Sequence, residues 1–156
     1  METIKYTYDN IDDRCLKLFY DIKKTTFDPD CIVGVSVGGV YPAIHFARLF
    51  DTKNLLTIAV KSYEGKERKE LQIVNLPSKE HLEGKTVLLI DDISDSGKTL
   101  EFLVNLLKER YAVKEVKTLT IFVNEGNCKY YPDFYFEKIN QWADFPWDRF
   151  ENHQDK

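Results

Sequence analysis

The run Val87-Leu-Leu-Ile-Asp-Asp-Ile-Ser-Asp-Ser-Gly-Lys-Thr-Leu100 limits the possible folds of this chain more than any other segment. Its start, apolar from Val87 to Ile90, suits a strand covered on both faces, as the strands of parallel sheets are. The polar stretch from Asp91 to Gly97 is expected to turn, and Lys98 to Arg110 then carries Leu100, Leu103, Val104, Leu106 and Leu107 at helical spacing. A strand feeding a helix through a tight turn is half of a βαβ unit, the connection that parallel strands require.

The same grammar recurs upstream. Cys31 to Val35 is short, apolar and β-branched, Ser36-Val37-Gly38-Gly39 breaks it, and a helix is expected from about Tyr41 to Phe50. Leu55 to Val60, Thr86 to Ile90 and Val116 to Val123 read as further strands. Near the start, Asn10 is expected to cap a helix over Ile11 to Lys24, with Ile11, Cys15, Leu18, Phe19 and Ile22 on its apolar face. Strands alternating with helices predict an α/β fold, a doubly wound, mostly parallel sheet flanked by helices, with ligands beyond the carboxyl ends of the strands. Lys61 to Glu70 has neither apolar period and is expected as a mobile loop, spanning about 61–71. Tyr130 to Phe150 is aromatic-rich with little periodicity.

Composition narrows the function. At 156 residues and 43% hydrophobic content, the chain suits a single domain over 1–156. Its 22 basic and 26 acidic residues are interspersed, so no basic stripe for a nucleic acid exists, and none is expected as a partner. No apolar run is long enough for a bilayer and the first residues lack a secretory pattern, so no membrane partner and a cytoplasmic location are expected. Cys15, Cys31 and Cys128 are read as small buried thiols, and His45, His81 and His153 have no metal-ligand spacing. His45 is read as a packed or capping side chain.

The chemistry concentrates in the turns. Asp91 and Asp92 at a strand end can accept charge-assisted hydrogen bonds from the vicinal hydroxyls of a sugar. Ser96, Gly97, Lys98 and Thr99 at a helix N-terminus offer N–H groups and hydroxyls to a phosphate, and the glycine permits close approach. Two lookalikes fail. A Walker A loop needs a glycine where Asp92 stands, and the glycines at 34, 38 and 39 miss the dinucleotide-binding spacing.

From Val87 to Thr99 the chain resembles the type I phosphoribosyltransferases, whose signature is a hydrophobic strand followed by Asp-Asp-x-x-Asp-(Ser/Thr)-Gly-x-(Ser/Thr). It is most similar to their short xanthine-guanine and hypoxanthine members through Val35 to Gly39, Ser62-Tyr63 to Glu70-Leu71, Thr120-Ile121-Phe122, and Trp142 to Asp148. The resemblance implies transfer of ribose 5-phosphate from phosphoribosyl pyrophosphate to a purine base (hypoxanthine, guanine or xanthine), giving a nucleoside monophosphate and pyrophosphate in nucleotide salvage. It implies Mg2+ as cofactor, held beside Asp92 through water, and a homodimer or homotetramer.

Position by position, the resemblance places Asp91 and Asp92 on the ribose, and Asp95 on the base as a catalytic residue. It puts Asp95 to Thr99 around the 5′-phosphate and Ser36, Val37, Gly38 and Gly39 on the pyrophosphate through backbone amides, with a cis peptide. Lys69 reaches the pyrophosphate and assists catalysis, while Trp142 and Ala143 bind the base within a C-terminal hood over about 124–150. Two positions depart from the relatives. Val37 stands where they carry arginine, and Asn124 where a lysine meets the 6-oxo group; an asparagine amide can donate to an oxo group or, turned over, accept from an amino group. Lys129 is read first as a solvated loop residue, with supply of the missing cation as the alternative if the turn is built differently, and Trp147 is read as core. Two rivals keep the fold: a regulator that senses phosphoribosyl pyrophosphate or a nucleotide without catalysis, and a transferase for another base, such as a pyrimidine.

Overall fold

The computed structural model describes residues 2–64 and 69–151, with the backbone alone at 63, 64 and 69. In chain order the elements are β1 (Thr3–Lys5), α1 (Tyr8–Lys23), β2 (Cys31–Ser36), α2 (Val40–Leu49), β3 (Leu55–Glu64), β4 (Lys69–Asn75), β5 (Thr86–Ser94), α3 (Lys98–Glu109), β6 (Glu115–Asn124), β7 (Phe134–Ile139) and β8 (Trp142–Asp144). Six strands form the main sheet in the order β4-β3-β2-β5-β6-β7, and β1 pairs with β8 apart from it. Every pairing is parallel except that of β3 with β4. The doubly wound, mostly parallel sheet is therefore present.

Side-chain alternation explains the layers. Ile32, Leu88, Ile90, Leu119 and Ile121 point to one face, where Ile11, Cys15, Leu18 and Ile22 of α1 and Ala43, Phe46 and Ala47 of α2 cover them. Cys31, Val33, Val35, Val87 and Leu89 point to the other, under Leu100, Leu103, Val104 and Leu107 of α3. The central strands β2 and β5 are thus buried on both sides, as their unbroken apolar runs require. From β2 the chain moves outward to β3, and from β5 it moves the opposite way to β6. The C-terminal ends of β2 and β5 therefore flank the point where strand order reverses, the place where sheets of this kind leave a crevice.

Several boundaries differ from expectation. Helix α1 starts at Tyr8, because Thr7 accepts from the Asn10 N–H while the Asn10 side chain accepts from the Thr7 N–H. Asn10 is thus the returning half of a capping box rather than the cap. Strand β5 does not end at Ile90: Asp91, Ile93 and Ser94 pair with Thr120, Phe122 and Val123, so the two acids lie on a strand rather than in a turn. Much of the loop expected over 61–71 is a hairpin in which Ser62 faces Leu71 and Glu64 faces Lys69; residues 65–68 lie outside the described residues. Within 124–150, the segment expected as a hood, β7 joins the edge of the main sheet and β8 pairs with β1. Among the described residues no helix is long and apolar enough to cross a membrane.

Candidate active site

The β2–α2 connection and the end of β5 touch. A Cβ on Gly38 would lie 1.9 Å from the Asp92 carboxylate, and one on Gly39 would lie 2.3 Å from the Ile90 carbonyl oxygen. Only glycine allows the loop to lie this close to the acids. The loop contains a cis peptide between Ser36 and Val37, and Val37 is 81% exposed. Its amides are not equivalent: the Gly39 N–H donates to the Val35 carbonyl, 2.9 Å, whereas those of Val37 and Gly38 meet no acceptor among the described residues. Of the amides expected to bind an anion, these two are free to do so.

Asp91 and Asp92 stand side by side, both half-buried. Asp91 accepts from the Asp92 N–H at 2.8 Å and Asp92 from the Ile93 N–H at 2.7 Å. Burial raises the pKa of Asp91 well above the usual carboxylate range, and the charge of Asp92 raises it further. Burial also raises that of Asp92, against the opposing effect of hydrogen bonds and of the Trp147 side chain. The Trp147 indole N–H is buried and completes no hydrogen bond among the described residues. Asp148 is raised too, first by its own burial and then by Asp92. Neither Asp91 nor Asp92 forms an ion pair among the described residues.

Beyond β5 the chain turns through Asp95 to Gly97 into α3. Gly97 has φ +88° and a Cβ there would meet the Tyr130 carbonyl oxygen at 2.4 Å, so both conformation and space require glycine. The Lys98 N–H donates to Ser96 Oγ, 3.2 Å, and the Lys129 N–H donates to the Ser96 carbonyl, 3.0 Å. The first-turn amides of α3 at Thr99 and Leu100 have no carbonyl within the helix to satisfy them, and they sit at its positive end. Asp95 Oδ1 accepts from Asn124 Nδ2 at 2.7 Å and from Asn127 Nδ2 at 3.1 Å, while Asn124 Oδ1 accepts from the Gly126 N–H at 3.2 Å.

These groups open on a cavity of about 770 Å³ lined by Asp91, Ile93 to Glu101, Asn127, Lys129 and Tyr130, with Ser62, Glu70 and Leu71 from the β3–β4 hairpin. It unites Asp91, Asp95, Ser96, Gly97, Lys98 and Thr99, the residues expected to grip a phosphorylated sugar. Asp92, Asn124 and the Ser36–Gly39 loop adjoin it without lining it. Trp142 is 67% exposed on β8, while Ala143 is buried in the core, so neither side chain lines the cavity. The Lys69 side chain lies outside the described residues.

The phosphoribosyl transferase domain family matches residues 7–150. The chain belongs to that family. A xanthine-guanine phosphoribosyltransferase of Cereibacter sphaeroides is 32% identical over 120 residues, spanning 75% of this chain and 68% of that protein. Among solved structures, a purine phosphoribosyltransferase from Pyrococcus horikoshii superposes with a TM-score of 0.82 at 28% identity, over 99% of this chain and 100% of the other. The Helicobacter pylori xanthine-guanine-hypoxanthine phosphoribosyltransferase gives 0.84 at 26% identity, over 95% of each chain. The fold is thus that of the type I phosphoribosyltransferases, which are pentosyltransferases.

Asn127 and Tyr130 are cavity residues without a sequence signal, and Lys129, the alternative cation for the missing lysine, lines the cavity too. No motif marks them, because they reach the cavity through a turn whose partner, the Asp95 loop, is distant in sequence. Trp147, read as core, does stack on Phe145 at 4.7 Å and on Tyr41 at 5.3 Å, yet it also abuts Asp92. His45 is a packed side chain, with Nε2 at 2.7 Å from Asp12, which also accepts from the Tyr41 hydroxyl.

Proposed function

We propose that this phosphoribosyltransferase transfers ribose 5-phosphate from phosphoribosyl pyrophosphate to a 6-oxopurine, hypoxanthine, guanine or xanthine, in nucleotide salvage. One observation carries the reading: Asp91 at the end of β5, with Asp92 beside it, and the hydroxyl-rich start of α3 meet at a single cavity that Asp91 and the α3 start line. Its size is in the range of small-molecule sites, which span roughly 300–1,000 Å³.

In this reading the N–H groups and hydroxyls of Ser96 to Thr99 hold the 5′-phosphate. Asp91 and Asp92 accept hydrogen bonds from the ribose hydroxyls. The free amides of Val37 and Gly38 and the cation of Lys69 take up charge on the departing pyrophosphate, in the absence of the arginine that Val37 replaces. The bond from the anomeric carbon to pyrophosphate breaks as a purine ring nitrogen forms its own bond to that carbon. The pyrophosphate oxygen keeps the bonding pair, and the purine loses its ring proton. Asp95 faces the base, and Ser62 and Leu71 of the β3–β4 hairpin help to shield the cavity from water that would otherwise hydrolyse the sugar. Trp142 and the Ala143 backbone hold the base from the far side.

Magnesium fits the donor set. Two adjacent carboxylates, short of cationic partners, are the oxygen ligands a hard cation takes, and no cluster of three or more ligating side chains encloses a metal among the described residues. Asp92, with Asp91 beside it, would hold the ion through water, and its charge would offset that of the pyrophosphate.

Base preference follows from the Asn124 amide. Its oxygen is engaged by the Gly126 N–H and one amide hydrogen by Asp95, so turning the amide over would break both bonds. In this orientation the second amide hydrogen of Asn124 remains to meet a base, and it suits a 6-oxo rather than a 6-amino substituent. The test is a panel of hypoxanthine, guanine, xanthine, adenine and uracil with phosphoribosyl pyrophosphate and magnesium, monitored for pyrophosphate. Release with the three 6-oxopurines and not with adenine or uracil is expected. Turnover with uracil alone would assign another base, and nucleotide binding without turnover would point to a regulator.

A further inference from the structure

We propose that Asn124 and Asn127 are positioning residues that pin the Asp95 carboxylate in one orientation, spending one oxygen on the protein so that the other is presented to the cavity. This rests on the phosphoribosyl-transfer reading above for its functional meaning, but the arrangement itself is geometric. Both amides donate to the same atom, Asp95 Oδ1, at 2.7 and 3.1 Å, which fills the two lone-pair directions of that oxygen. The described residues give Oδ2 no hydrogen bond, and Asp95 lines the cavity. Asp95 is exposed in a loop, where a carboxylate without such partners would rotate between orientations.

The clamp is built on a frame. The carbonyl of Asn124 accepts from the N–H groups of Asn127 and Cys128, at 3.2 and 2.9 Å, so the two asparagines belong to one turn. That turn is tied to the Asp95 loop by the Lys129 N–H on the Ser96 carbonyl and by the close fit of Gly97 against Tyr130. Asparagine is the suitable residue at 124, since its oxygen caps the Gly126 N–H while its nitrogen donates to Asp95. An aspartate of the same shape would keep the first bond and set a like charge against Asp95 in place of the second.

That contrast provides the experiment. Asn124→Asp preserves the turn and removes the donor, Asn127→Ala removes the exposed donor, and Asn127→Gln retains an amide on the same turn. Loss of a hydrogen bond to a charged group predicts that Asn124→Asp and Asn127→Ala each lower kcat/KM for the base by roughly tenfold or more. KM for phosphoribosyl pyrophosphate should change less than twofold, and Asn127→Gln should recover part of the loss. In an Asp95→Ala background, which removes the acceptor, Asn127→Ala should cost nothing further. An equal loss with and without the Asp95 carboxylate would overturn the proposal, as would unchanged kinetics in the folded Asn127→Ala protein. A readout independent of turnover is the nitrogen-15 resonances of the two side-chain amides. They should both move in Asp95→Ala, and amides that stay in place would refute the clamp even if the wild-type chain transferred nothing. Absence of pyrophosphate release by wild type would instead sink the transfer reading.

Discussion

Gly38 and Gly39 are neighbours with different physical constraints, and the difference is measurable. A methyl at Gly38 would collide with the end of a side chain, Asp92, which can swing aside, whereas one at Gly39 would collide with the Ile90 carbonyl and the Asp91 Cα, which cannot. Gly38→Ala should therefore cost about 1 kcal/mol, or roughly 3 °C, through the Ile93 N–H bond that Asp92 gives up as it swings, while KM for phosphoribosyl pyrophosphate rises roughly tenfold or more through displacement of one charged acceptor. Gly39→Ala should lose about 1–3 kcal/mol of stability, the usual cost of overpacking. Thermal melts alongside initial rates decide the matter, and a Gly38→Ala protein with normal KM would show that Asp92 need not stay where it is.

The pKa shift of Asp91 gives a second residue-scale prediction. Its folded-state pKa lies above the unfolded value, chiefly because of burial. Between those two values the unfolded chain has released a proton that the folded chain still holds. The metal-free protein therefore loses stability as pH rises from about 4 through the raised folded pKa. Asp91→Asn should remove that loss, melting a few degrees above wild type at neutral pH in the presence of a chelator, with the gap closing toward pH 4. Differential scanning fluorimetry across pH measures it, and a variant that melts lower at every pH would show the carboxylate to be stabilising. The acid pair itself was legible in the sequence, because a strand end followed by a glycine turn announces a site. The Asp95 clamp was not legible: Asn124 and Asn127 meet it across two adjacent strands, and nothing in their local spacing encodes that encounter.

At the scale of elements, what was legible depended on whether burial was symmetric. Strands β2 and β5 are covered on both faces and announce themselves as apolar runs. The outer strands β4 and β7 are covered only in part, and they mix polar with apolar residues. Strand β4 pairs through its backbone along Lys69 to Asn75, a hydrogen-bonding reason to be a strand that side-chain periodicity does not report. Strand β5 outruns its apolar stretch for the same reason, since β6 continues to Asn124 and offers Asp91 to Ser94 a partner. Consequently the acids are held on a rigid strand, which fixes their spacing better than a turn would. The capping box of α1 illustrates the limit of one-residue reasoning, because Thr7 and Asn10 share the task. Thr7→Ala should cost about 1 kcal/mol, or roughly 3 °C in melting temperature, with no change in turnover. A loss of activity at unchanged stability would imply that α1 does more than pack.

The whole molecule brings to one place groups that are far apart in the chain. The β2–α2 loop, the end of β5, the start of α3, the β3–β4 hairpin and the turn after β6 converge because strand order reverses between β2 and β5. Each part contributes a few polar groups, and several of them are costly to hold together: two acids repel, and the Val37 and Gly38 amides face no acceptor among the described residues. A ligand that satisfies all of them at once should stabilise the entire domain rather than one loop. Guanosine or inosine monophosphate at about 100 times its dissociation constant should add about 2.7 kcal/mol to unfolding, as mass action requires of any ligand that binds only the folded chain. This should appear as a melting temperature that rises with the logarithm of nucleotide concentration. The pattern across ligands discriminates further. Ribose 5-phosphate should retain part of the shift through Asp91 and the α3 N-terminus, and free guanine should show little. Adenosine monophosphate should fall short of the 6-oxo nucleotides, because the second Asn124 amide hydrogen would meet a donor there and an acceptor in them. Equal shifts from the free base and the nucleotide would mean that the phosphorylated sugar is not what the convergence of these loops was built to hold.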